Sequence, residues 1–262
     1  GTPAVMLRSR LRVVPMRHLD ALPVSTSVKS CCSKFKMTDA VALILARSGS
    51  KGIPGKNLLK LDGQSLLEKN IKACLESKAF KEVWVSTDGD ALADEGKRCG
   101  AFVHRRAAYT AVDTASSLIA VQEFMATRPD IKIIAMVQCT SPLVKPNYFY
   151  EALNKMKEND YDSIFAVTKT YKFRWSENYQ PKGFDLDKKQ SNERSGEHFQ
   201  ETGMFYFCAR HILDQNLLQG GKMGMYEVPK EDQVDIDTME DILTAEAIIQ
   251  YRKTFLTGEV FE

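Results

Sequence analysis

The chain of 262 residues reads as an α/β domain built on a Rossmann-like, mostly parallel central sheet. Three observations predict this. From residue 41 onward, short apolar runs alternate with segments of helical spacing. Several runs, such as 131–137, are apolar on both sides, as strands covered on both faces must be. And the first strand ends in a glycine-containing cationic loop, residues 45–57, the kind of strand end that holds anions in α/β proteins.

Taken in order, residues 1–38 stand apart. Arg8, Arg10, Arg12, Arg17, Lys29, Lys34 and Lys36 face only Asp20, and serines are frequent. That is the composition of a targeting segment or a disordered tail. Pro23 and the Ser/Thr residues interrupt the apolar stretch at 21–28, so no clean secretory signal is present. Met37 immediately precedes the first strand and is a candidate alternative start. Residues 39–262 are expected to form a single domain, long enough for a proper core. Residues 41–45 are its first strand. Residues 65–78 carry helical spacing, with Ser65 as cap and Glu68 at the capping-box position. Strands follow at 82–87 and 101–104, around a short helix at 91–99. A helix at 114–127 is expected, capped by Asp113, then a central strand at 131–137, a helix at 147–157 and a strand at 163–168. The polar stretch 171–200 breaks the rhythm and reads as an excursion or arm. An aromatic strand at 204–208, a further strand at 225–228 and a last helix at 238–255 complete the pattern.

The bulk numbers exclude some classes. A formal net charge of +2 argues against general nucleic-acid binding. No apolar run approaches the roughly 18 residues a membrane span needs. The six cysteines show neither C-x-x-C nor zinc spacing and are read as free thiols.

Chemistry concentrates at the two ends of the domain. Arg47, Lys51 and Lys56 lie in the cationic loop with Gly49, Gly52 and Gly55. Glycine lets backbone N–H groups approach an anion, and the three cations, with a metal, match the charge of a nucleoside triphosphate. Solvation alone also produces basic glycine-containing loops. The spacing is not a Walker A loop, since five residues separate Gly49 from Gly55 and Asn57 follows Lys56. Nor is it G-x-G-x-x-G. At the far end, Asp235 and Asp237 flank Ile236. In extended backbone the two carboxylates share a face, an arrangement that asks for Mg²⁺ or Mn²⁺. The same pair also reads as a helix cap at Asp237 with Asp235 solvated. Between these ends, Arg106 is either surface charge or a contact to phosphate or base. Residues 113–117, with Ser116, are a helix start able to bind an anion. Gln138 to Pro142 leave a central strand, where α/β ligand sites gather. The histidines at 18, 104, 198 and 211 show no metal spacing, and His104 reads as structural.

Taken together, the loop 45–57, Val85–Gly89, 113–117, Gln138–Leu143, Gly203–Phe207, Gln219–Met223 and Val234–Thr238 resemble the N-acylneuraminate cytidylyltransferases, the CMP-sialic acid synthetases. The pieces fall in family order, and the fit at 173–177 and 219–223 is animal-like. The resemblance implies a nucleotidyltransferase fold with a dimerisation excursion, and the reaction of CTP with a sialic acid to give CMP-sialic acid and pyrophosphate. It implies Mg²⁺ or Mn²⁺ on Asp235 and Asp237, with Asp237 the better candidate for assisting base. Arg47, Lys51 and Lys56 match the triphosphate cations. Gly52, Asn57, Arg106 and Ser116 match nucleotide positions. Gln138 and Arg174 match the sugar site, with Ser141, Thr202, Tyr206 and Phe207 as further candidates there, and Arg194 is the carry-over of a catalytic arginine. A homodimer or dimer of dimers is implied, without nucleic acid or membrane span, in a soluble protein of nucleus, cytoplasm or secretory pathway.

Two departures stand out. Thr202 replaces the usual Asn before the glycine of the aromatic strand, and 188–194 is less basic and shorter than the animal Arg cluster. Vertebrate relatives also continue into a phosphatase-like domain, which is expected to be absent. The competing readings are a cytidylyltransferase for another sugar acid, deaminated or octulosonic, and a catalytically weak binding or regulatory homologue.

Overall fold

The computed structural model describes residues 39–49, 52–112, 114–182 and 198–256. Lys51, Asp113, Arg194 and the 1–38 tail lie outside them. Strand β1 (Ala40–Leu45) is buried over its first five residues. The cationic loop follows, then a 3₁₀ turn (Lys56–Leu58) and a small hairpin of β2 (Lys60–Leu61) and β3 (Gln64–Ser65). Its turn residues Asp62 and Gly63 have φ of 55° and 75°, the left-handed pair that a two-residue hairpin turn favours.

Helix α1 (Leu66–Glu76) starts where the capping signal put it: Ser65 Oγ accepts the Glu68 N–H at 2.9 Å. The alternation then runs β4 (Glu82–Thr87), α2 (Asp90–Arg98), β5 (Phe102–Arg105), α3 (Ser117–Ala126), β6 (Ile133–Gln138), α4 (Pro146–Glu158) and β7 (Ser163–Thr170). Helix α3 begins three residues later than its spacing suggested. Its cap is Ser116, whose Oγ accepts the Ile119 N–H at 3.4 Å. The polar excursion contains a two-stranded ribbon, β8 (Arg174–Trp175) with β9 (Pro181–Lys182). The aromatic strand is longer than expected, β10 (His198–Ala209), and leads into the short α5 (Arg210–Leu213). Strand β11 (Met223–Glu227) and helix α6 (Met239–Leu256) end the described domain. No helix among the described residues is long and apolar enough to cross a membrane.

Seven strands form the central sheet in the order β11-β7-β10-β6-β1-β4-β5 among the described residues. Pairing is parallel except where β10 runs antiparallel to both β6 and β7. Strand alternation sends Ala42 and Ile44 to a core shared with Leu67 and Ile71 of α1, Phe149 of α4 and Ile242 of α6. It sends Val41 and Leu43 to a second core with Phe124 of α3 and Ile212 of α5. Both faces are therefore covered, which explains the continuous apolar strands. The same alternation corrects one expectation. Phe207 is fully buried in the first core, 5.7 Å from the Phe80 ring, while its neighbour Tyr206 packs against the second core; neither is on the cleft lining described below.

Register places the site. Leu45 pairs with Ser86 and with Gln138, and Thr87 pairs with Arg105. The carboxyl ends of four adjacent parallel strands thus align, and the segments leaving them share one edge of the sheet.

Candidate active site

A cleft of about 240 Å³ opens over those aligned strand ends. Arg47, Lys56 and Asn57 line it from the cationic loop, Arg106 from the segment after β5, Ser116 from the cap of α3, and Gln138 from the end of β6. Six residues spread over 92 positions of sequence are thereby gathered at one place.

The loop is fastened at several points. Asn57 is nearly buried, and its Nδ2 donates to the Arg47 carbonyl at 3.0 Å, so its amide braces the loop across ten residues. Gly55 has φ of 66°, in the left-handed region where a side chain is strained. Lys56 Nζ donates to Asp237 Oδ1 at 2.8 Å. A Cβ on Gly52 would lie 2.8 Å from the Asp237 carbonyl oxygen, so only glycine allows the loop so close to the acidic turn. The two ends of the domain that drew attention in the sequence therefore touch.

The acidic turn is held by its own backbone. Ile236 is fully buried and its N–H donates to the Thr140 carbonyl at 2.9 Å, on the segment leaving β6. Asp241 in the first turn of α6 accepts from the N–H groups of Asp237 and Thr238 at 3.0 and 2.8 Å and from the Thr238 hydroxyl at 2.9 Å. Thr238 and Asp241, not Asp237, make the cap, which leaves the Asp237 carboxylate on the surface beside the cleft. Asp235 is different. Burial pushes its carboxyl above the ordinary range, a contact with Thr140 opposes this, and the charge of Asp237 adds to it. Its Oδ1 is buried with no hydrogen-bond partner.

Arg106 is 8% exposed. Its Nε donates to Ser86 Oγ at 3.2 Å and its Nη2 to the Ser86 carbonyl at 3.1 Å. Ser86 Oγ also meets His104 Nδ1 at 3.1 Å, so His104 is a structural partner, as read from the sequence. Burial lowers the Arg106 pKa, while the charges of Asp88 and Glu123 oppose that shift. Arg106 is thus both a brace of the β4 end and a cation in the cleft wall.

Next to Gln138 and its strand runs β10, whose candidates Thr202 and Tyr206 are not on the cleft lining. A bulge between Glu201 and Tyr206 puts Gly203 at φ 75°, close against the Gln138 side chain. The Thr202 hydroxyl donates to the Ala166 carbonyl and accepts from the Met204 N–H, each at 3.3 Å. Both roles hold the bulge, which gives the unusual threonine a structural purpose. Tyr206 Oη donates to Glu201 Oε2 at 3.0 Å, and Gln219 Nε2 donates to Glu201 Oε1 at 3.1 Å. Burial first, and then the negative charge of Glu201, raise the Tyr206 pKa, so its phenol stays protonated.

Other sequence candidates fall elsewhere. Ser141 is 1% exposed, in the turn after β6, and does not line the cleft. Arg174 lies on the exposed β8–β9 ribbon, also outside the cleft lining. Lys51 and Arg194 are outside the described residues. The sequence reading missed Asp88, which grips the loop through Ser48, and Glu201. The available signals were the Thr87-Asp88-Gly89 turn and the acid three residues before the aromatic run.

The sheet order and the cleft across its parallel carboxyl ends define the nucleotidyltransferase fold. The structure is similar to CMP:2-keto-3-deoxy-manno-octonic acid synthetase complexed with CTP, with a TM-score of 0.63 and 17% identity over 82% of this chain and all of that one. It also resembles 4-diphosphocytidyl-2C-methyl-D-erythritol synthase from Anaerococcus prevotii, with a TM-score of 0.59 and 13% identity over 82% of this chain and all of that one. The family model for Cytidylyltransferase matches residues 41–261, and the chain belongs to that family. Among curated relatives it is 40% identical to N-acylneuraminate cytidylyltransferase A of Danio rerio, over 78% of this chain and 49% of that protein. It is 39% identical to the N-acylneuraminate cytidylyltransferase of Oncorhynchus mykiss, over 78% and 49%. It is 30% identical to that of Escherichia coli O18:K1:H7, over 81% and 52%. The chain thus spans about half the length of these curated relatives.

Proposed function

We propose that this chain transfers CMP from CTP to the anomeric hydroxyl of a sialic acid such as N-acetylneuraminate, releasing pyrophosphate. One observation carries the reading: the cationic loop and the acidic turn, far apart in sequence, meet beside a strand-end cleft at the Lys56–Asp237 contact of 2.8 Å. The likeness to N-acylneuraminate cytidylyltransferases of fish and a bacterium supports the choice of sugar.

The acidic turn fits a divalent cation, Mg²⁺ or Mn²⁺. Its donors are hard carboxylate oxygens, and a buried carboxylate oxygen without a partner, as at Asp235 Oδ1, is costly until a cation offsets it. Asp235 and Asp237 would hold the ion. When bound, it supplies charge neutralisation on the triphosphate. Arg47, Lys51 and Lys56 bind the phosphates and stabilise the charge that grows on the leaving pyrophosphate. Gly52 and Asn57 keep the loop in shape for that contact, and Arg106 and Ser116 bound the nucleotide side. Asp237, with its exposed carboxylate, accepts the proton of the attacking hydroxyl. Gln138 is assigned to the sugar side, with Tyr206 and the Thr202 bulge on the adjacent strand; Arg174, outside the cleft lining, and Arg194 are assigned there by the family resemblance alone. The exposed Trp175 and Tyr179 of the excursion support a homodimer or a dimer of dimers.

The test is a pyrophosphate-release assay across nucleotides and sugar acids. With CTP, Mg²⁺ and N-acetylneuraminic acid, release is expected, slower with octulosonic or deaminated acids, and lost when the metal is chelated. Asp237→Asn should lower turnover by about 10²-fold or more. No release by the unmutated chain overturns the reading, and faster release with an octulosonic acid reassigns the substrate.

A further inference from the structure

The loop that carries Arg47 is gripped from outside the cleft. Asp88 follows the last residue of β4 and does not line the cleft. Its Oδ1 accepts the Ser48 backbone N–H at 2.8 Å, and its Oδ2 accepts the Ser48 hydroxyl at 2.6 Å. Ser48 is the residue after Arg47, so both carboxylate oxygens act on the first turn of the loop across 40 residues of sequence. A second observation shows how close the two segments run. A Cβ on Gly89 would lie 2.9 Å from the Ser48 Cβ, so the β4 turn and the loop touch at a position only glycine permits. Burial alone would push the Asp88 carboxyl up. The hydrogen bonds from Ser48 outweigh it and hold Asp88 below the ordinary carboxylate range, so it is ionised at neutral pH. Its charge also faces Arg106.

The contact is solvent-exposed and adds nothing to either hydrophobic core. A glycine-containing loop that binds an anion must lose conformational freedom when it does so, and a loop ordered in advance loses less. We infer that Asp88 is a positioning residue for the triphosphate: by clamping Ser48 it orders the start of the cationic loop and so fixes the backbone from which Arg47 reaches the phosphates. The inference rests on the CTP reading above and adds a residue to it that touches no substrate.

The test separates the triphosphate from the rest of the nucleotide. Affinities for CTP and for CMP are measured by calorimetry on the full chain in Mg²⁺ buffer, and their ratio reports what the β- and γ-phosphates contribute. Asp88→Ala is expected to shrink that ratio about tenfold, the scale of a charge-assisted hydrogen bond or two, while CMP affinity stays within about twofold. Asp88→Asn, which retains one acceptor, should fall between, as should Ser48→Ala. The double variant Ser48→Ala/Asp88→Ala should be no worse than Asp88→Ala alone, because both remove the same clamp. Should Asp88→Ala fail to fold, Asp88→Asn and Ser48→Ala carry the comparison, with a melting curve as control for each. An unchanged ratio, an equal loss for CTP and CMP, or independent multiplying losses in the double variant would overturn the role of Asp88. An unmutated chain that does not prefer CTP to CMP overturns the cytidylyltransferase reading itself, a result visible before any variant is made.

Discussion

Asp235 illustrates what a buried carboxyl costs the fold. Its carboxyl is raised above the reference value of 3.8, first by burial and then by the neighbouring charge of Asp237. A carboxyl that titrates higher in the folded state binds protons more tightly there. Its contribution therefore favours the fold at low pH and is lost as pH rises from the unfolded value through the folded one. At neutral pH the charged group is a burden on the metal-free protein. Asp235→Asn, nearly the same shape, is expected to raise the melting temperature of metal-free protein at pH 7 by a few degrees, to lose that advantage near pH 4, and to abolish pyrophosphate release. Calorimetric melting at both pH values checks the sign; a lower melting temperature at pH 7 would contradict the assignment of burial as the cause. Such a residue was visible in the sequence only as half of an i/i+2 pair. Spacing showed that two carboxylates share a face but not that one is buried and the other exposed, since that depends on where α6 and the β6 loop meet.

Among the elements, α6 has a role beyond covering the sheet. Its first turn supplies Asp241, which gathers three donors from Asp237 and Thr238. The helix cap and the shape of the acidic turn are one structure. Asp241→Ala removes the acceptor from all three at once and is expected to cost about 1–2 kcal/mol, as the loss of a helix cap typically does, and to lower activity beyond what the stability loss explains. Asp241→Asn keeps an acceptor and should recover part of both. Urea unfolding and the pyrophosphate assay on the two variants measure this. Element starts were legible where a side chain caps locally, as Ser65 does for α1. They were misplaced where a cleft-lining turn intervenes, as residues 114–116 do before α3. The β2–β3 hairpin escaped notice because two-residue strands have no periodicity to read; only its Asp62-Gly63 turn marked it.

For the whole molecule, the alternation of buried strands and helices made the layered sheet legible, and the order of motifs made the family legible. The antiparallel insertion of β10 between β6 and β7 was not legible, because apolar runs carry no direction. Phe207 shows the same limit at finer grain. Tyr206 and Phe207 are chemically similar neighbours, and which of them enters the core with Phe80 turns on a one-residue phase that sequence does not reveal. The structure separates them by consequence. Phe207→Ala, in a core with Phe80 and Phe205, is expected to cost about 3–5 kcal/mol in urea unfolding. Tyr206→Phe removes only the hydroxyl bonded to Glu201 and is expected to change stability by less than about 1.5 kcal/mol while raising KM for the sugar acid more than KM for CTP. Equal stability losses in the two variants would contradict the face assignment.

The meeting of Lys56 and Asp237 also sets a timetable for the growing chain. The partners are 181 residues apart, and a contact of such span closes a loop that contains nearly every other element of the domain. During synthesis the cationic loop leaves the ribosome long before the acidic turn and the helix that caps it. Until the turn before α6 has emerged and docked, Lys56 lacks its Asp237 partner, while the Asp88 clamp on Ser48 is already available. A nascent chain therefore carries the cationic loop well before the acidic turn, and the Lys56–Asp237 contact closes only late in synthesis.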